Sequence, residues 1–88
     1  MINPQPKRPP LTEAQKQQMR DDVRYRAGYS CEICHAFCLK SGHVHHIDTR
    51  GAHGGAAWTM DNMILLCESD HDRAHRGLIS KDELRGAI

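Results

Sequence analysis

Four cysteines and seven histidines share a chain of 88 residues. A chain this short buries only a thin core, and domains of this size commonly reinforce it with a disulfide or a bound metal. The thiols stand at ligand spacing. Cys31-Glu32-Ile33-Cys34 closes a tight loop that can turn two thiolates onto one tetrahedral ion. Cys67-Glu68-Ser69-Asp70 repeats that spacing with a carboxylate in place of the second thiolate, and Asp oxygen is an accepted zinc ligand at ~2.0–2.2 Å. Cys38, four residues beyond Cys34, competes with Asp70 for the fourth position. The start, Met1-Ile2-Asn3-Pro4, carries no apolar run behind a basic segment, and no stretch approaches the ~20 apolar residues that span a bilayer. A cytoplasmic address is therefore expected, and there cysteines serve as metal ligands more often than as disulfide partners.

Residues 1–10 hold all four prolines together with Lys7 and Arg8, and read as a flexible tail ahead of a single domain over 11–88. Thr12 and Gln15 have capping-box spacing and open a helix that reaches about Ala27 and stops at Gly28. Met19, Val23 and Ala27 form its buried stripe, with Arg20 and Arg24 beside it. His43 to Ile47 reads as a short strand, residues 48–57 as a Gly- and Ala-rich loop, and Asn62 to Leu66 as a second strand. A helix carrying His71 and His75 ends at Gly77. Ser80 and Glu83 cap a last helix. Neighbours on a strand point to opposite faces, so His45 and His46 cannot easily share one ion. His71 and His75, four apart on a helix, share a face and can grip one.

In this order, Cys31-x-x-Cys34, His45-His46-Ile47, Gly54-Gly55, Asn62-Met63-Ile64-Leu65-Leu66-Cys67 and His71-x-x-x-His75, the chain resembles the HNH endonuclease family over about residues 20–77. Asp70 stands where zinc-containing members usually show Cys or His, and Asp48-Thr49 where a proline often follows the first histidine motif. The resemblance implies an α+β fold: a ββα-metal finger, made of a two-stranded antiparallel hairpin plus a helix, with a structural zinc knuckle and flanking N- and C-terminal helices. It also implies phosphodiester hydrolysis of DNA with one catalytic divalent metal.

Within that frame His46 is the expected general base, since an imidazole near its ordinary pKa of ~6.5 suits proton removal at neutral pH. His45 and His71 are the expected ligands of the catalytic ion, with His75 completing the set. Imidazole donors suit Mn, Ni or Zn better than Mg. Cys31, Cys34, Cys67 and Asp70 are expected to hold the structural Zn. By the resemblance, Asn62 orients the base or braces the loop; the bland alternative is a turn-capping Asn. Arg50, Arg73 and Arg76 are candidates for contacts to the DNA backbone, as is His53. His35 and His43 read as bystanders, and Trp58 as core rather than a stacking platform. The net charge of +1 neither supports nor excludes DNA, since nucleic-acid binders usually have a domain pI above ~9. Two other readings stand beside the enzyme: a non-catalytic zinc-binding module for DNA or protein, and a toxin or phage packaging nuclease that works only with partner domains.

Overall fold

A computed structural model describes residues 11–48 and 57–88. The proline-rich segment and residues 49–56, which include Arg50, His53, Gly54 and Gly55, lie outside the described residues. Helix α1 (Glu13–Arg26) begins in a complete capping box. The backbone N–H of Gln15 donates to the Thr12 hydroxyl at 3.1 Å, and the Thr12 N–H donates to the Gln15 side chain at 2.9 Å. The helix ends in a Schellman arrangement: Tyr29 N–H reaches back to the Arg24 carbonyl and Gly28 N–H to that of Tyr25. Gly28 takes the left-handed conformation that this ending requires, at φ 62°.

Strand β1 (His43–His46) pairs antiparallel with β2 (Met63–Leu66), with His43 opposite Leu66 and His46 opposite Met63. Helix α2 (Glu68–His75) follows directly on Cys67, which caps it through its sulfur, and α3 (Lys81–Gly86) closes the described chain behind the Ser80 cap. Two sequence expectations shift slightly. Ile47 falls just outside β1, although its N–H still bonds the Asn62 carbonyl. Asn62 does not begin the second strand; it ends a one-turn 3₁₀ segment, Met60–Asn62, immediately before it.

All four side chains of β2 are fully buried, so this strand does not alternate between core and solvent. Ile64 and Leu66 pack with Cys31, Cys38, Ile47, Ile79 and Leu84 on one face of the hairpin. Met63 and Leu65 pack with Val23 on the other, joined by Met19, Ala27, Val44 and Trp58. The expected stripe on α1 is therefore the element that covers the second face. Burying a large aliphatic side chain contributes roughly 1.5–3 kcal/mol, so these few residues carry much of the apolar stabilisation. Among the described residues no helix is long and apolar enough to cross a membrane.

The outer edge of β2 is closed by the cysteine loop. Glu32 N–H donates to the Leu65 carbonyl at 2.9 Å, and the Glu32 carboxylate accepts from Leu65 N–H at 2.9 Å. Arg26, at the end of α1, holds that carboxylate with two hydrogen bonds of 2.8 and 3.2 Å. Its guanidinium also donates to the carbonyls of Met60 and Met63. The Glu32 side chain is 8% exposed. Removing one partner of a buried ion pair strands the other, at a cost of about 3–5 kcal/mol. Arg26→Met is accordingly expected to lower the free energy of unfolding by at least ~2 kcal/mol, allowing for the partial exposure of Arg26. Urea denaturation of the metal-loaded protein measures this. A loss below ~0.5 kcal/mol would mean that the pair is incidental.

Candidate metal centres and active site

Two knuckles face each other across the first packed face of the hairpin. In each, the leading thiol accepts a backbone N–H from three residues on: Cys34 N–H to Cys31 Sγ at 3.5 Å, and Asp70 N–H to Cys67 Sγ at 3.4 Å. Cys34 Sγ and Cys67 Sγ stand 3.7 Å apart, and Cys31 Sγ lies 3.2 Å from Asp70 Oδ2. The four donor atoms all lie within 4.8 Å of one another. A tetrahedral ion with bonds of about 2.3 Å to sulfur brings its donors to roughly 3.8 Å, so the cluster has the dimensions of a single four-coordinate site. Cys38 is not part of it. Its thiol points to the Ala36 carbonyl at 3.2 Å.

The protonation chemistry fits a cation at this point. The Ala36 backbone hydrogen bond favours the Cys34 thiolate, but burial and the adjoining Asp70, Cys31 and Cys67 outweigh it and push the thiol up to about 12. Burial also raises the Cys67 thiol. Burial alone would raise Asp70, yet the thiols and Arg73 that bond it hold its carboxyl below the usual range. Two thiols that resist charging thus stand beside a carboxylate that charges readily, and a divalent ion bound by them would favour the thiolates.

The second cluster uses the alternation of β1. His45 lies on the face toward α2, where its ring centroid is 5.4 Å from that of His71 and 5.1 Å from that of His75. Nε2 of His71 and Nε2 of His75 are 3.0 Å apart. Donors of one ion at about 2.0–2.1 Å are expected at roughly 3 Å from each other. His45, His71 and His75 thus form a three-donor group, half-buried at the first two and exposed at the third. Burial lowers the His45 pKa to about 4, helped by repulsion from His71, His75 and His46. Burial also lowers His71, with His43 and His75 adding to the effect. Both rings are held in the neutral form that metals bind. His43, read from sequence as a bystander, stacks flat on His71 at 4.6 Å with 10° between the planes. The signal was available, since residues 43 and 45 share a strand face.

His46 points the other way. Its Nδ1 lies 2.8 Å from the Ala57 carbonyl, and its ring makes a T-shaped contact with Trp58, the centroids 4.6 Å apart. Asn62 is buried behind it and ties both ends of the 48–57 loop together. Its Nδ2 donates to the carbonyls of Asp48 at 2.9 Å and Ala57 at 3.1 Å, and its Oδ1 accepts the Asp48 N–H at 2.9 Å. Asn62 and His46 therefore share the Ala57 carbonyl. Trp58 packs in the core as expected, and also presents a ring face to Lys16 and Arg20. Arg73 pairs with Asp70 at 3.0 Å and Arg76 with Asp72 at 3.5 Å, and both guanidinium groups remain well exposed. His35 is exposed at a positive φ of 64°; its backbone N–H bonds the Cys31 carbonyl, and its ring belongs to neither donor group.

The thiol cluster leads to an expectation about metal content. Purified protein should carry one tightly held divalent ion per chain, and Cys31→Ala should lose that ion and with it the fold. Structural zinc in small domains supplies an apparent ~10–16 kcal/mol, more than such a domain's whole stability. Metal analysis with far-UV circular dichroism checks this; a folded, metal-free Cys31→Ala protein would refute it. Cys38→Ala should keep its metal.

A family model of HNH endonuclease matches residues 31–77, more than half of the chain and the span holding both clusters. No curated protein and no solved structure matches. With its hairpin, metal-ligand clusters and following helix in the matched span, the chain belongs to the HNH endonuclease family.

Proposed function

We propose that the protein is a metal-dependent endonuclease that hydrolyses DNA phosphodiester bonds, with His46 as general base. The observation that supports this most is the hydrogen bond from His46 to Ala57. A carbonyl only accepts, so Nδ1 carries the ring proton and Nε2 is left with a free electron pair. That is the tautomer a base needs. In this reading Nε2 takes a proton from the attacking water, the bond from phosphorus to the 3′ oxygen breaks, and the leaving oxygen is protonated from solvent. Asn62 acts through the shared carbonyl, keeping the His46 ring from swinging out of line. His45, His71 and His75 would hold a divalent ion, which would supply Lewis acidity toward the scissile phosphate. Three histidines leave coordination positions open, which fits a catalytic centre, whereas the four donors of the thiol cluster complete a tetrahedral shell, which fits structural Zn. Arg73 and Arg76 supply sequence-independent backbone contacts, and Arg50 is assigned the same task.

A plasmid-nicking assay tests this. Cleavage is expected with Mn or Ni, less with Mg because imidazole donors suit it poorly, and none with chelator. His46→Ala should cut about 10²–10⁴-fold more slowly, with the fold and thiol-bound metal unchanged. Agreement of the two rates within about threefold, far short of that range, removes His46 from the base role. Failure of the parent protein to cut any form of DNA would favour a non-catalytic zinc-binding module.

A further inference from the structure

Helix α1 lies outside the matched family span, yet it delivers two cations to the same side of the hairpin as His46. Lys16 Nζ and the Arg20 guanidinium carbon each sit 5.5 Å from the centre of the Trp58 ring. That ring also meets the His46 ring in a T-shaped contact, with the centroids 4.6 Å apart. Spacing of four on a helix puts both cations on one face. Their side chains are 32% and 28% exposed, against 83% for Glu13 beside them, so both stems lie along the surface rather than waving in solvent. Arg20 is oriented by two hydrogen bonds to the Gln17 side-chain oxygen at 3.1 and 3.2 Å. Glu13 approaches Lys16 at 3.9 Å and Arg20 at 3.7 Å. Exposed pairs this long contribute little and yield readily to a stronger anion.

We propose that Lys16 and Arg20, seated on Trp58, form a DNA-backbone site on the base side of the cleavage centre. This rests on the nuclease reading above. One indole ring separates the cations from His46, so they hold a phosphate neighbouring the scissile one and make no contact with the reacting atoms. Trp58 fixes where the two charges stand, because a cation is attracted to the ring face. The site complements Arg73 and Arg76, which lie on α2 beside the opposite face of β1.

Because the contact is to a neighbouring phosphate, it should act on binding and not on turnover. Each phosphate contact contributes about 0.9 to the slope of log affinity against log salt. In a His46→Ala background, which prevents cutting, Lys16→Gln with Arg20→Gln should therefore flatten that slope by roughly 1.5–2 for a short duplex between about 50 and 200 mM salt. With His46 intact, the double variant should raise KM by about tenfold and leave kcat within about twofold, the pattern of lost uniform binding. The charge-keeping pair Lys16→Arg with Arg20→Lys should retain the parental slope, which a general loss of structure would not allow. An unchanged slope in the neutral variant, or an equal loss in the charge-keeping one, overturns the site while the nuclease reading stands. A parent protein that neither binds duplex DNA nor cuts it removes both.

Discussion

A four-residue strand with every side chain buried must be covered on both faces and satisfied along both edges. Strand β2, Met63–Leu66, sets that requirement here, and the remainder of the fold meets it. Strand β1 pairs with one edge, and Glu32 of the cysteine loop occupies the other through both Leu65 backbone groups. Helix α1 covers Met63 and Leu65; the cysteine loop and Leu84 of α3 cover Ile64 and Leu66. Arg26 then binds the Glu32 carboxylate and the Met63 carbonyl together, so helix, loop and strand meet in one buried polar junction. Among the described residues no buried side-chain nitrogen or oxygen lacks a partner, which such a low-dielectric junction requires.

From that scaffold the placement of the histidines follows. Because β1 pairs with a strand covered on both sides, its own alternation sends neighbouring residues to different environments. His45 goes to the α2 side, where His71 and His75 wait one helical turn apart. His46 goes to the α1 side, where a fixed carbonyl and a T-shaped contact with the indole orient it. Two identical side chains thus acquire different chemistry: one is pressed toward the neutral form by burial and neighbouring imidazoles, the other is held in a defined tautomer. Asp70 plays a comparable double part. One carboxylate oxygen faces the thiols while the other binds Arg73, linking the thiol cluster to a cation on the exposed side of α2.

Much of this was legible in the sequence wherever the signal is local. Thr12 with Gln15 gave the start of α1, and three-residue spacing gave both halves of the thiol cluster while leaving Cys38 as a rival to Asp70 for the fourth position. The period of two separated His45 from His46. What escaped needed the tertiary register. Arg26 and Glu32 look like ordinary surface charges until the ends of α1 and β2 are brought together. For His43 the period of two gives the shared face with His45, but not that His71 lies flat against it. Lys16 passed unnoticed because only folding sets Trp58 beneath it. Asn62 was expected inside the strand, but its side chain can brace Asp48 and Ala57 only from the turn that precedes it.

The hairpin sends His45 toward His71 and His75 and His46 toward Ala57 and Trp58, and the proposed division into metal ligand and base depends on that. The most direct measurement is the affinity of the histidine site for Mn, titrated into His45→Ala and His46→Ala proteins whose thiol cluster is filled. Losing His45 should weaken Mn by tenfold or more, on the order seen when even the groups supporting a ligand are removed. Losing His46 should leave the affinity essentially unchanged, because its ring faces the other side of the strand. Equal weakening in the two variants, or none in His45→Ala, would contradict the division.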